Sequence, residues 1–321
     1  MVLWAGIDEA GYGPRLGPLV VAASAFRLPQ PPDEGLLWHL LRDAVCRTAG
    51  ESDGRLVVND SKQVYSPSRG LRRLEEGVLG FLATARYSTR QTGTLLEQLQ
   101  AYRQAAEPPQ PWFAGARRQP LPLQSNSSAL ASRSDVLRRA MDRHRVRFLG
   151  ARAVVVFTPE FNRIVERTRN KAALLFQKCG LLLRELWARA GRERCLVVVD
   201  RHGGRKHYRK LLRDAFPRCR CDVRREEEKC SAYRVRGREA DLFVSFRQDG
   251  DALAMPTALG SMIAKYLREL HMAAFNRYWQ ERLEGLKPTA GYGADARRFL
   301  RDIEPALREG GVDRSTIVRI S

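Results

Sequence analysis

The chain has 321 residues, 44% of them apolar, enough to bury a substantial core without a metal or disulfide staple, and no run reaches the roughly eighteen apolar residues a membrane span requires. Only eight of the 56 basic residues are Lys and the formal charge is +20, a field that attracts polyanions and presents Arg as the phosphate donor. The six cysteines (Cys46, Cys179, Cys195, Cys219, Cys221 and Cys230) form no CxxC pair, miss zinc spacing even with His202 and His207 upstream, and, with no leader pattern at the N-terminus, predict a cytoplasmic protein with reduced thiols.

Residues 2–7 form an apolar run ending on Asp8-Glu9, followed by a Gly/Pro-rich stretch and a second run at 19–26; this predicts a buried hairpin with carboxylates at the end of its first strand. Leu36, Leu37, Leu40, Leu41 and Val45 have helical spacing, so residues 29–54 read as a helical excursion from the sheet. A helix is expected over 66–85, with Ser66 or Ser68 as its cap. Residues 90–148 carry Pro-Pro, Trp-Phe and Arg-Arg and then a Ser-rich stretch, and read as an insertion, partly flexible, with helix near 137–144. Strand 153–157, helix 162–190 and strand 196–199, which ends on Asp200, are the parts of a parallel α/β unit. Helices at 208–215, 256–284 and 294–308 follow. The expected class is α/β, a mixed sheet flanked by helices, divided into 1–89, the 90–148 insertion, 149–255 and a helical C-terminal region at 256–321.

In Gly6-Ile7-Asp8-Glu9-Ala10-Gly11-Tyr12-Gly13-Pro14, adjacent acids stand where a strand gives way to glycines. Neighbouring strand side chains point to opposite faces, so both acids serve one site only if the backbone turns, which glycine permits. Further along stand Asn59-Asp60-Ser61-Lys62, Val197-Val198-Val199-Asp200, Gly250-Asp251 with the helix-forming 256–265, Ala290-Gly291-Tyr292-Gly293, and Asp313-Arg314-Ser315. In this order these segments resemble the ribonuclease HII family from end to end, apart from the 30s to 50s and residues 90–148.

The resemblance implies a ribonuclease H-like fold and a metal-dependent endonuclease that hydrolyses the RNA strand of RNA–DNA hybrids, leaving a 5′-phosphate and a 3′-hydroxyl. It puts Asp8, Glu9, Asp200 and Asp251 at the family's four-carboxylate positions around two Mg2+ or Mn2+ ions, hard cations that take oxygen ligands. Asp249 and Asp241 lie close enough in sequence for a shifted register to select either as the fourth acid. Ser61 and Lys62 resemble the family's phosphate contact; Ser261 and Lys265, four apart on one helical face, would either face the duplex or be solvated. Gly11, Tyr12, Gly13 and Tyr292 would read the 2′-hydroxyl and sugar.

The chain departs from the pattern in several places. Tyr12 stands where the family has Arg, with Arg15 nearby to supply charge from another angle. Arg201-His202-Gly203-Gly204-Arg205 replaces Gly-Asn after Asp200, a more basic turn in which His202 would contact phosphate, assist proton transfer or simply be solvated. Ala290 replaces a Lys, with Lys287 slightly upstream. Trp112, Phe113, Arg117 and Arg118 in the insertion would stack on bases and hold phosphates, or dock a protein partner. Two other readings therefore stand beside the first: a two-metal nuclease acting on structured DNA or another RNA-containing duplex, and a nucleic-acid-binding protein without turnover.

Overall fold

The computed structural model describes residues 1–102 and 110–320; the Pro108-Pro109 pair lies outside the described residues. The strands are β1 (Val2–Ala10), β2 (Leu19–Leu28), β3 (Val45–Cys46), β4 (Leu56–Val57), β5 (Arg147–Val156), β6 (Arg194–Asp200), β7 (Arg220–Glu226), β8 (Cys230–Arg236) and β9 (Leu242–Arg247). The first six helices are α1 (Leu36–Leu40), α2 (Ser61–Val64), α3 (Arg72–Thr84), α4 (Thr92–Gln98), α5 (Pro111–Ala114) and α6 (Ser127–Arg143). After β5 come α7 (Thr158–Thr168), α8 (Lys171–Ala190), α9 (Arg209–Ala215), α10 (Gly250–Leu253), α11 (Met255–Gln280) and α12 (Gly293–Glu309).

Seven strands form one mixed sheet in the order β5-β2-β1-β6-β9-β8-β7. The central trio β1, β6 and β9 is parallel, and the flanking pairs are antiparallel. The expected mixed sheet flanked by helices is the architecture observed. Strand alternation sends Leu3, Ala5 and Ile7 of β1 into the core shared with α8, and Trp4 into the core shared with α11. The backbones of α11 and the sheet meet closely: a Cβ at Gly6 would overlap the Thr257 amide, and one at Gly260 would stand 3.1 Å from the Ala22 carbonyl. Ser24 Oγ donates to the Pro256 carbonyl at 2.8 Å, and Thr257 Oγ1 to that of Val198 at 3.1 Å. These contacts fix the start of α11 across β2, β1 and β6.

Several boundaries differ from expectation. The stretch at 29–54 contains the short α1, a return to β3 and a 3-10 turn at Ala49–Glu51. The helix expected at 66–85 begins at Arg72 with no side-chain cap, so neither Ser66 nor Ser68 caps it. The helix expected over 162–190 is two helices, broken where Arg169 turns left-handed (φ 51°) and Asn170 caps α8 by accepting from the Ala172 and Ala173 amides. Strands β7, β8 and β9 have no counterpart in the sequence reading.

The described residues of the 90–148 stretch are packed into the fold. Buried Glu75 accepts from the amides of Leu123, Gln124 and Ser125 and from the Tyr266 hydroxyl, tying the segment to α3 and α11. Trp112 and Phe113 are buried; the Trp112 ring lies 6.0 Å from Trp279, and Phe113 lies 5.3 Å from Phe157. They are core residues and offer no open face to a base, a correction to the stacking role. Among the described residues, no helix is long and apolar enough to cross a membrane.

Candidate active site

The parallel strands β1, β6 and β9 end side by side, and in open α/β sheets the crevice beyond such carboxyl ends is where ligands bind. Ile7 pairs with Val199, so Asp8 and Asp200 come next on neighbouring strands. Asp8 lies on the α11 side of β1, and Glu9, by alternation, on the α8 side. The turn after β9 brings in the third segment: the Gly250 amide donates to Asp200 Oδ1 at 3.0 Å, and Asp251 follows in the first turn of α10. Asp249 is exposed at a left-handed position (φ 55°) before that helix, although its charge still acts on Asp200. Asp241 is held away from the cluster by Arg234 and the Gly237 amide.

Crowding acids in a buried crevice favours their neutral forms. Burial, then the Glu9 and Asp200 charges, push Asp8 well above the usual carboxylate range; a hydrogen bond with Ser261 opposes the shift. Burial and then Asp200 raise Glu9 to about 7. Burial, then Asp60 and Asp200, raise Asp251 to about 7. Asp200 is raised by burial, with the Gly250 amide opposing. The four acids are neighbours and not a closed ligand cage: among the described residues, no three His, Cys, Asp or Glu groups converge to share one ion as they stand. Asp8 Oδ1 is turned to the Glu9 amide at 2.7 Å. An all-oxygen, mutually repelling set of acids is nevertheless the chemistry that suits hard divalent cations.

Lys62 belongs to this cluster: Asp60 first, and also Asp8, Asp251 and Asp200, hold its ammonium above the usual range. Asp60 caps α2 by accepting from the Lys62 amide at 3.0 Å, and its charge acts on Asp251. Sequence reasoning missed Asp60 as part of the site; its signal was its position just before Ser61-Lys62. Ser61 and Ser261 are buried and hydrogen-bond each other at 3.0 Å. That leaves the two hydroxyls without the solvent access a duplex contact needs; they lie behind Asp8. Lys265 is neither free nor fully solvated, since Nζ pairs with Glu269 at 2.6 Å and lies 4.6 Å from the centre of the Tyr65 ring.

The 11–18 loop beside the acids is held from beneath by two buried arginines. Arg319 donates to the Gly11 carbonyl at 2.5 Å and to Gly17, and Arg268 donates to Ala290 at 2.9 Å and to Leu16. Burial, then Arg268, lower Arg319 to about 9. Gly11 (φ 84°) has no room for a Cβ, which would strike the Pro18 carbonyl and Arg268. The Arg15 amide donates to the Gly291 carbonyl at 2.8 Å, which joins this loop to the 290–293 turn; the Arg15 Nε is buried without a partner. Gly13 and Tyr292 are exposed, with the Arg268 guanidinium 5.4 Å from the Tyr292 ring centre. Tyr12 is half-buried, its phenol raised by burial and Glu9 and pulled back by Arg205. His202 is buried among Phe176, Tyr208 and Phe246, and burial lowers it to about 3. Such a ring is neutral at ordinary pH, which corrects the readings of it as a solvated residue or proton carrier.

No family model matches the chain, and no curated protein matches it. Among solved structures the chain is similar to the ribonuclease H2 from Pyrococcus horikoshii OT3, with 16% identity over 98% of this chain and 92% of that one and a TM-score of 0.46. It is also similar to the RNase HII of Archaeoglobus fulgidus, solved in complex with PCNA, at 15% identity over 99% of this chain and 94% of that one, TM-score 0.41. A further similar structure is Bst-RNase HIII in complex with Mn2+, at 15% identity over 99% of this chain and 66% of that one, TM-score 0.44.

Proposed function

We propose that this chain is a metal-dependent endonuclease that hydrolyses the RNA strand of RNA–DNA hybrids, giving a 5′-phosphate and a 3′-hydroxyl. The observation that carries the reading is the placing of Asp8, Glu9, Asp200 and Asp251, from three separate segments, at neighbouring strand ends, where burial and nearby carboxylates hold them above the usual carboxylate range. A solvated acidic turn has no reason to assemble such a cluster, whereas a cation site does.

Asp8, Glu9, Asp200 and Asp251 would hold Mg2+ or Mn2+, which when bound supplies an activated water and charge stabilisation at the leaving 3′ oxygen. The chain's own groups do the rest. Ser261, supported by Ser61, hydrogen-bonds Asp8 and favours its ionised form. Lys62 offers the incoming phosphate a point charge. Arg268 and Arg319 fix the carbonyls of the glycine loop, so that its backbone and the exposed Tyr292 can meet a ribose edge without rearranging. A second reading, with structured DNA or another RNA-containing duplex as substrate, is favoured by Tyr12, whose half-buried phenol leaves no cation at the position where the family has Arg.

The test is cleavage of end-labelled RNA–DNA hybrid, single-ribonucleotide DNA and all-DNA duplexes with Mg2+ or Mn2+, beside Asp8→Asn. Cutting is expected only in ribonucleotide-containing strands, with the variant slower by roughly 10³-fold or more and its duplex binding unchanged. Cleavage of all-DNA duplex would establish the second reading. Binding without cutting in the wild type would make the chain a nucleic-acid-binding protein without turnover.

A further inference from the structure

The basic turn after Asp200 folds into a recess of about 470 Å³ on the Glu9 side of the crevice, lined by Tyr12, Ala172, His202, Gly203, Arg205 and Lys206 among others. Its lining carries two cations, Arg205 and Lys206, and no acid. Two buried polar atoms there have no hydrogen-bond partner: Nε of Arg205 and Nδ1 of His202, whose residue is only 4% exposed. A buried donor left unpaired costs about 1–3 kcal/mol, so a turn that keeps the Arg205 Nε–H unpaired beside a recess is built to meet something polar. The turn itself is fixed: Gly203 takes φ 58°, and the Tyr208 hydroxyl accepts from the His202 amide at 3.1 Å. Ala172, in the first turn of the 20-residue α8, brings the N-terminal end of that helix to the wall, with its amide already held by Asn170. Two cations, an unpaired guanidinium donor and a lining without an acid describe a receptor for a phosphate group.

We propose that this recess is a phosphate subsite, with Arg205 as its principal contact, holding a phosphodiester of the substrate strand on the Glu9 flank of the acids. Lys62 lies on the other, α11 side of the strand ends, so the strand is gripped on both sides of the carboxylates. The proposal rests on the nuclease reading for the identity of the strand, but the anion site can be tested without turnover.

The experiment measures binding of labelled RNA–DNA hybrid in EDTA across a salt series, and of inorganic phosphate by calorimetry, for wild type, Arg205→Gln, Lys206→Gln and Arg138→Gln. Arg138 is an exposed control at the opposite end of the sheet, beside Arg147. Arg205→Gln is expected to weaken duplex binding roughly tenfold, to lower the salt slope by about one, and to abolish phosphate binding, with Lys206→Gln weaker in effect and Arg138→Gln silent. Equal duplex affinity and slope in wild type and a folded Arg205→Gln would overturn the subsite, even if the enzyme cuts hybrids. If wild type ignores duplex but binds phosphate through Arg205, the nuclease reading fails, and the recess is the site of a small phosphate ester.

Discussion

Asp8 is the residue on which the crevice turns, and its state depends on a hydroxyl two layers deep. Ser261 hydrogen-bonds Asp8 and opposes the upward push of burial and of the neighbouring acids, and its hydroxyl stands 3.0 Å from that of Ser61. Removing the Ser261 hydroxyl takes away a stabiliser of the carboxylate and leaves Ser61 unpartnered in a buried place. Ser261→Ala is therefore expected to cut turnover by roughly 10–100-fold and to move the acid limb of the pH–rate profile to higher pH. The profile should be measured with Mn2+ on a protein whose circular dichroism matches wild type. A slower enzyme with an unmoved acid limb would mean that Ser261 acts only through packing. The motif order identified Ser261 as a residue of interest, but spacing said nothing about its depth.

Among the elements, the insertion is where composition misled most. Its aromatic and Arg-rich stretch has the make-up of a base-stacking surface, yet Trp112 and Phe113 fill a nest with Phe157, Phe275 and Trp279. Trp112→Ala is expected to lower stability by roughly 3–5 kcal/mol, the usual cost of emptying a buried aromatic site, read as a fall in the denaturant midpoint. Duplex affinity of the still-folded fraction should not change. A variant as stable as wild type but poorer at duplex binding would restore the stacking role. Strands β7 and β8 escaped notice for a related reason: Arg220, Arg225, Arg234 and Arg236 occupy alternate or edge positions, and an apolar count cannot recognise a strand whose outer face is largely guanidinium; β9, by contrast, is an apolar run that ends on Arg247.

At the scale of the whole molecule, the acids proposed to hold the cation would link folding, metal and pH. Glu9 and Asp251, held near 7 by burial and like charge, have unfolded values of about 4, so between those limits the native state binds more protons. Their contribution to stability is present in full below pH 4 and is lost as pH rises through about 7. Cations must displace the same protons to bind. Scanning calorimetry should therefore show a Tm increase with Mn2+ that is largest at pH 8 and absent at pH 5. The same increase at both pH values would remove Glu9 and Asp251 from the cation site.

The sequence by itself determined the hairpin that opens the chain, the parallel unit ending on Asp200, the class of sheet and the identities of the acids to watch. These are local matters: an apolar run, a breaker and an acid at its end carry their meaning within a few residues. It left open which aspartate follows β9 into the cluster. Tertiary structure brought Asp251 beside Asp200, paired Asp241 with Arg234 and added Asp60. It also decided that Arg268 and Arg319, ordinary cations in a chain full of arginine, lie buried under the glycine loop. Only the path of the backbone brings Arg319 to Gly11, 308 positions apart. A guanidinium's role is set by what surrounds it in space, and no spacing along the chain encodes that.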